Sequence, residues 1–349
     1  MFSPPNLTRT HGFAVTALVA AVFLSNLTGY FPSYKAITKR DSVLNSVDPI
    51  EVVVPSCPEL AFNPYNYDNA VAKAWMDLRF PTGNPKGSSI DPEAATYKDK
   101  PSYDNYGREH IYEVQLIALF IDALRADATG KLLWDGWTLG FCDWVDTFVF
   151  QPLPSSTEPA LINTLRKCLP YDNNPNQPYM PWLEEDANSI KASAMNGDKI
   201  RTEATFKKYD WTERVATMRT TAAVMSYMTD TEVLKSLVMQ SNCIEKAWVD
   251  WLGKYVTVPK IPPSAPKVKA DDMKALYQRW YVARMKQFKQ NLLDGMETMI
   301  QWCNIWNTSP PIKARVNWNN ELSSGPEVTL TLDNLKYLKK FIEDIPWKP

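Results

Sequence analysis

Histidine is scarce in this chain of 349 residues, where only His11 and His110 occur. A structural zinc site needs four Cys or His ligands, and a catalytic one usually needs at least two imidazoles or thiolates. The run Glu109-His110-x-x-Glu113 matches neither the His-Glu-x-x-His zinc motif nor its inverted form. The sequence therefore predicts no zinc centre, although a hard cation held by Glu109, Glu113 and other oxygen ligands stays open.

Glycine and cysteine are also few. With 12 glycines and no glycine-rich phosphate loop, the chain is not expected to bind a nucleotide cofactor, and no other cofactor is indicated. No Gly-x-Ser-x-Gly elbow occurs, so a serine nucleophile cannot be named. The five cysteines lie far apart without a Cys-x-x-Cys pair, which predicts one or two disulfides and one remaining thiol in a secreted chain. Their pairing stays open: Cys57, Cys142, Cys168, Cys243 and Cys303.

Neither sign of charge is in strong excess, since 38 basic side chains stand against 39 acidic ones. Four of the basic residues lie in the first forty positions, so loss of that segment would leave 34 basic residues and a formal net charge of about −5. A mildly acidic chain without a long basic run predicts no nucleic-acid partner and no anionic membrane surface as partner.

The amino terminus has the pattern of a secretion signal. An apolar run of about a dozen residues, Phe13–Leu24, follows Arg9 and is short for a bilayer span. We interpret residues 1–24 as a signal peptide and residues 25–40 as a propeptide that ends at Lys39-Arg40. These features predict a secreted, extracellular protein with no stable membrane span after signal removal. A single-pass signal anchor and an uncleaved linker are the alternatives.

The remaining chain predicts a mainly α fold, an irregular helical globular domain with few short strands. Helical spacing of apolar residues runs through 204–228, 230–255 and 271–306. We divide the chain into a main helical domain over 41–255, a proline-rich linker over 256–270, and a carboxyl-terminal helical segment over 271–349 packed on the main domain. Helical spacing also predicts a helix over 67–79. Separately, Asn307-Thr308-Ser309 is a glycosylation acceptor sequence.

A central helix is predicted over residues 108–125, which are almost wholly apolar after their polar first turn. On a helix, Glu109 and Glu113 lie four residues apart on one face, and His110 is a neighbour of Glu113. The candidate catalytic residues are therefore Glu109, His110 and Glu113, and Gln115 joins the set as a position of the motif whose resemblance is described below. One interpretation is a hydrolase with His110 as general base oriented by a glutamate; the other is an internal hydrogen-bonded pair that anchors a buried helix.

The most aromatic part of the chain covers residues 131–150. Trp134, Trp137 and Trp144 alternate there with acids such as Asp143, a mixture that can stack on a sugar ring and hold its hydroxyl groups. We take these four residues as a candidate binding site for a polysaccharide. Aromatic clusters also form cores and subunit contacts, which is the alternative.

The run Glu109–Leu116 resembles the Glu-His-(Val/Ile)-x-Glu-x-Gln-(aliphatic) segment of secreted filamentous-fungal proteins of unassigned activity. A similar segment follows the catalytic barrel of some fungal family 18 chitinases. The resemblance covers about a dozen residues and implies an extracellular or cell-wall-associated fungal protein. It does not imply chitinase activity, because no Asp-x-x-Asp-x-Asp-x-Glu run and no alternation of strands and helices is present. The leading hypothesis is a non-catalytic protein that binds wall polysaccharide or a protein partner.

Overall fold

The computed structural model describes the following residues: 51–65, 75–79, 93–97, 106–125, 140–153, 156–171, 181–255, 270–306, 312–315, 327–330 and 332–347. The predicted signal peptide and propeptide lie outside these ranges, as do the linker residues 256–269 and the acceptor Asn307. Trp134 and Trp137 of the candidate polysaccharide site also lie outside the described residues.

Helices make up most of the described chain, which confirms the mainly α fold class. Two long ones agree closely with their predicted limits because their apolar residues keep helical spacing throughout. None of the helices in the described ranges combines the length and apolarity that crossing a bilayer requires. The α-helices are α1 (Gln115–Ala123), α2 (Phe141–Val145), α3 (Leu161–Lys167), α4 (Glu185–Asn196), α5 (Glu203–Lys208), α6 (Trp211–Thr229), α7 (Thr231–Tyr255), α8 (Ala270–Trp306) and α9 (Leu332–Asp344), and a π-helical turn, Asp146–Phe150, continues α2.

Short strands form three small sheets in the described chain. The strands are β1 (Val52–Val54), β2 (Cys57–Phe62), β3 (Trp75–Arg79), β4 (Glu93–Tyr97), β5 (Tyr106–Arg108), β6 (Trp182–Glu184), β7 (Ile312–Arg315) and β8 (Glu327–Leu330). β1 pairs with β2, β7 pairs with β8, and the largest sheet has the order β4-β3-β6-β5. The helix predicted over 67–79 is therefore wrong for 75–79, because that segment pairs antiparallel with β4 along its whole length.

The long helices α7 and α8 pack side by side and supply much of the core. Nζ of Lys274, near the start of α8, lies 3.8 Å from Oε1 of Glu245 in the second half of α7. One turn further along α8, the Tyr277 hydroxyl is hydrogen-bonded to Oγ of Ser241, which lies earlier in α7. The two helices therefore run antiparallel. Helix α1 covers this pair, with the Phe120 ring 5.0–5.2 Å from the rings of Tyr277, Trp280 and Trp248. Aromatic contacts of this kind, together with the area they bury, hold the central helix in the core.

Helix α8 also contacts α4 and α9, so one side of the carboxyl-terminal helical segment lies against the main domain. The approach is closest at Gly295, where an added Cβ atom would lie 2.5 Å from Cγ1 of Ile200. Only glycine allows α8 to pass the segment that follows α4 at this distance. The position of α4, and of the side chains it carries, is thereby fixed against α8.

Two disulfides tie distant parts of the chain together. Cys57 of β2 is bonded to Cys142 of α2, and Cys168, which follows α3, is bonded to Cys243 of α7. Cys303 is a buried free thiol. The expectation of one or two disulfides with one thiol remaining is confirmed, and the pairing that sequence left open is now assigned.

Candidate functional site around Lys191

Residues 109–114 form an irregular segment between β5 and α1, which corrects the helix predicted over 108–125. The backbone N–H of Glu109 donates to the carbonyl of Pro181 at 2.9 Å, which extends the pairing of β5 with β6 by one residue. The chain is therefore still extended where the first helical turn was predicted. Helix α1 begins only at Gln115, so the proximity of Glu109 to Glu113 does not come from helical spacing.

A lysine from another helix brings the two glutamates together. Lys191 of α4 is fully buried, and its Nζ lies 2.7 Å from Oε1 of Glu113 and in contact with Oε1 of Glu109. The same ammonium donates to the backbone carbonyl of His110 at 2.7 Å and lies 3.4 Å from that of Ile111. Two carboxylates and two carbonyls thus enclose one buried cation, and we call Glu109, His110, Glu113 and Lys191 the lysine clasp.

The lysine clasp keeps its cation charged in spite of burial. Burial alone would lower the pKa of Lys191, but the charges and hydrogen bonds of Glu109 and Glu113 outweigh it and hold that pKa above its ordinary value. The two glutamates are themselves 2% and 7% exposed. Each buried charge therefore depends on its partner, because a single buried charge without a counter-charge is strongly unfavourable.

His110 contributes its backbone to the lysine clasp, and the residue as a whole is only 7% exposed. Burial, with a smaller contribution from the charge of Lys191, lowers the pKa of His110 to about 3. The imidazole is therefore neutral at physiological pH, whereas the unfolded chain would take up a proton below its ordinary pKa of 6.5. Because only the unfolded chain takes up this proton, the fold loses stability as the pH falls from 6.5 toward 3. The lowered pKa also makes His110 a weak general base.

The last member of the predicted catalytic set, Gln115, opens helix α1 and is 9% exposed. The hydrogen bonds and ion pairs of Lys191 involve the clasp glutamates and two carbonyls, not the Gln115 amide. The structure thus brings Glu109, His110 and Glu113 together around a cation, and it places Gln115 at the helix start beside them.

The clasp segment is also anchored on its other side. Between Ile111 and Glu113, Tyr112 is fully buried, with its hydroxyl 3.1 Å from that of Tyr277 on α8. The Tyr277 hydroxyl lies 3.2 Å from Oγ of Ser241 on α7, and the Tyr112 ring stacks parallel to that of Tyr281 at 6.4 Å. The segment therefore lies between α4 on one side and the α7–α8 pair on the other.

Lys191 was absent from the sequence-based candidates, although the sequence does carry a signal for it. Helix α4 buries Ala187, Ile190, Ala194 and Met195, and Lys191 falls within that apolar stripe. A lone lysine at a core position of an amphipathic helix must find buried counter-charges. Sequence spacing does not identify those charges, because the glutamates lie about eighty residues earlier in the chain.

The candidate polysaccharide site is corrected at Trp144. Its side chain is 3% exposed, and its ring stacks on Phe148 at 4.9 Å and on Phe141 at 6.1 Å. A sugar ring needs an open indole face, and this one is packed inside the core. Asp143 is exposed beside it. Trp144 is therefore a core residue, which was the alternative for the aromatic segment.

Within the described ranges, one group of side chains has the spacing of metal ligands: Cys57, Glu59 and Cys142. The two sulfur atoms of that group are bonded to each other as a disulfide. They therefore offer no thiolate to a metal ion.

The chain was compared with protein-family models, with curated proteins and with solved structures. None of the three comparisons gives a match. The resemblance of Glu109–Leu116 to fungal secreted proteins therefore stays a prediction from sequence.

Proposed function

We propose that this protein is a non-catalytic extracellular protein that acts by binding, with a protein or a wall polysaccharide as its partner. In this proposal the Glu109–Glu113 segment is a structural clasp closed on Lys191, not a catalytic centre. The observation that carries the proposal is the enclosure of the buried Lys191 ammonium by both glutamates and by the carbonyl of His110.

The alternative is a hydrolase with His110 as general base. A general base must reach the proton that it removes, and it works best with a pKa near the working pH. His110 is buried, and its pKa is lowered to about 3. The glutamates that would orient it hold the Lys191 ammonium. These three facts favour the clasp over catalysis.

Two features support an extracellular location within the proposal. The leader pattern over residues 1–40 predicts secretion, and disulfides such as Cys57–Cys142 and Cys168–Cys243 form and persist in oxidising compartments. The resemblance of Glu109–Leu116 adds a fungal source and a wall association as an expectation. A helical protein with buried acids and a disulfide framework fits a stable extracellular binder.

The hydrolase alternative can be tested on purified wild type and His110→Gln. We expect neither protein to cleave wall polysaccharide, peptide, carboxylic ester or phosphodiester substrates in a way that depends on His110. The measurement is product release over time, with the melting temperature of each protein recorded in the same buffer. Lys199→Met, at an exposed position just after α4, serves as a matched variant outside the clasp.

Turnover by the wild type that His110→Gln abolishes at an unchanged melting temperature would contradict the proposal. Such a result would mean that the imidazole reaches substrate and that its burial here does not describe the working state. A lowered melting temperature in His110→Gln without any turnover by the wild type would support the clasp.

A further inference from the structure

The carboxyl-terminal end of α8 carries an exposed apolar surface. Ile305 there is 69% exposed, the highest value among the exposed large hydrophobic residues of the described chain. Trp302 and Trp306 lie beside it on the same helix and are half-buried. Lys207 and Arg214, from α5 and α6, border these indoles, and we call the five residues the α8 terminal face.

The indole rings of this face contact other groups of the same protein. The rings of Trp302 and Trp306 lie nearly parallel, 6.0 Å apart, and the buried Phe206 ring lies 5.7 Å and 6.3 Å from them. The guanidinium of Arg214 sits over the Trp306 ring at 5.1 Å. The most exposed apolar group of the α8 terminal face is therefore the aliphatic side chain of Ile305, next to the half-buried indoles on the same helix.

Cations surround this apolar centre. Nζ of the exposed Lys207 lies 5.9 Å from the Trp306 ring, and Lys208 is exposed beside it. Arg214 is held in place because it donates to the carbonyls of Phe206 and Lys207.

Two neighbouring carboxylates are engaged elsewhere. Asp210 and Glu213 each accept the other's backbone N–H in the capping box of α6. Asp210 and Glu213 keep their negative charges in this arrangement, and the charges placed at the Trp306 indole itself are the cations of Lys207 and Arg214.

We propose that the α8 terminal face binds a protein partner that presents an apolar side chain next to carboxylates. Tryptophan and arginine are the residues most enriched in binding hot spots, and a fixed arginine beside a projecting aliphatic group suits an acidic, apolar segment. A polysaccharide would need an indole ring with an open side to stack on. In the α8 terminal face, Arg214 and Phe206 lie next to the Trp306 ring. The inference rests on the proposed function, since it assigns the partner class to a protein that acts by binding.

The test is selection of short random linear peptides, displayed on phage, against the purified secreted full chain. We expect the selected peptides to combine Asp or Glu with aliphatic or aromatic residues. Binding of one such labelled peptide, measured by fluorescence polarisation, should weaken about thirtyfold or more in Ile305→Asp and at least several-fold in the double variant Lys207→Glu, Lys208→Glu. Val282→Asp, at a 42% exposed position elsewhere on α8, should bind as the wild type does.

Selected peptides that bind wild type and Ile305→Asp equally, or that carry no acidic preference, would overturn the inference. So would retention on insoluble chitin or β-glucan that Ile305→Asp abolishes, because the face would then bind polysaccharide. A wild-type dimer in analytical ultracentrifugation that Ile305→Asp dissociates would overturn it as well, since a second copy would be the partner. Melting temperatures of all variants are recorded to exclude unfolding. None of these outcomes depends on His110, so a failure here is distinguishable from catalytic turnover.

Discussion

Replacing Lys191 with methionine is expected to lower the free energy of unfolding by about 3–5 kcal/mol, because the variant leaves two buried glutamates facing each other without a counter-charge. Methionine fills most of the volume of the lysine side chain, so the loss reports charge and hydrogen bonding more than a cavity. The His110 and Ile111 carbonyls also lose their donor. Urea unfolding of the purified variant near pH 7 measures the effect.

Two further variants separate the clasp from a general effect of removing a lysine. Lys199→Met removes an exposed lysine from the same region and should change stability by less than about 0.5 kcal/mol. Adding Glu109→Gln and Glu113→Gln to Lys191→Met should recover part of the loss, because the buried charges are then gone. A Lys191→Met protein within about 1 kcal/mol of wild type would show that the clasp does not stabilise the fold.

Removing the Cys57–Cys142 disulfide with alanine at both positions is expected to cost about 4.5 kcal/mol at most. The two cysteines are 85 residues apart, and the chain-entropy estimate for a loop of that length gives this value as the constraint on the unfolded state. The bond also holds the β1–β2 hairpin against α2 and the chain near α1, where Ser56 N–H donates to Asp122. Chemical unfolding of the double variant and of the oxidised wild type measures the difference.

Cys303→Ala is the matched variant, because it removes a buried thiol that belongs to no disulfide. We expect it to cost roughly 1 kcal/mol through the lost packing. A double variant at Cys57 and Cys142 that is no less stable than Cys303→Ala would mean that the disulfide adds nothing beyond the packing of its sulfur atoms.

The long helices could be predicted from sequence because their signals are local. The segment predicted over 230–255 is α7 at Thr231–Tyr255, with Oδ1 of Asp230 accepting from the N–H groups of Glu232 and Val233 as expected of a cap. The segment predicted over 271–306 is α8 at Ala270–Trp306. In both, the apolar stripe lies within the element itself, and the cap of α7 directly precedes that helix, so no distant contact was needed to place them.

The start of the central helix could not be predicted in this way. Apolar spacing from Gln115 onward is helical, but whether the chain is helical at Glu109 depends on β6, which lies more than seventy residues later and pairs with β5. Long-range pairing overrides local preference here. The strand at 75–79 was missed for the same reason, because its partner β4 lies further along the chain.

Three members of the lysine clasp could be predicted from the sequence, and the fourth, Lys191, could not. Glu109, His110 and Glu113 were named together from their spacing, and the structure does bring them together. The cation that unites them is Lys191, and nothing local connects it to the glutamates, so the sequence offered an internal His110–Glu113 pair or acid–base catalysis, but not a buried ion cluster. The burial of Trp144 could not be predicted from the aromatic segment either. A tryptophan can stack on a sugar ring or on a core ring such as Phe148, and the sequence does not distinguish the two.

An NMR titration of the His110 imidazole tests the structural role of the clasp most directly. If the leader is removed, His110 is the one imidazole left in the chain, and comparison with His110→Gln assigns its signal in either case. We expect the imidazole to stay neutral, with constant carbon-bound proton shifts, from pH 8 down to the pH at which the fold is lost, because burial lowers its pKa to about 3. An imidazole that titrates in the folded protein close to the ordinary pKa of 6.5, in a chain whose stability His110→Gln leaves unchanged, would contradict the clasp and return His110 to the surface as a catalytic candidate.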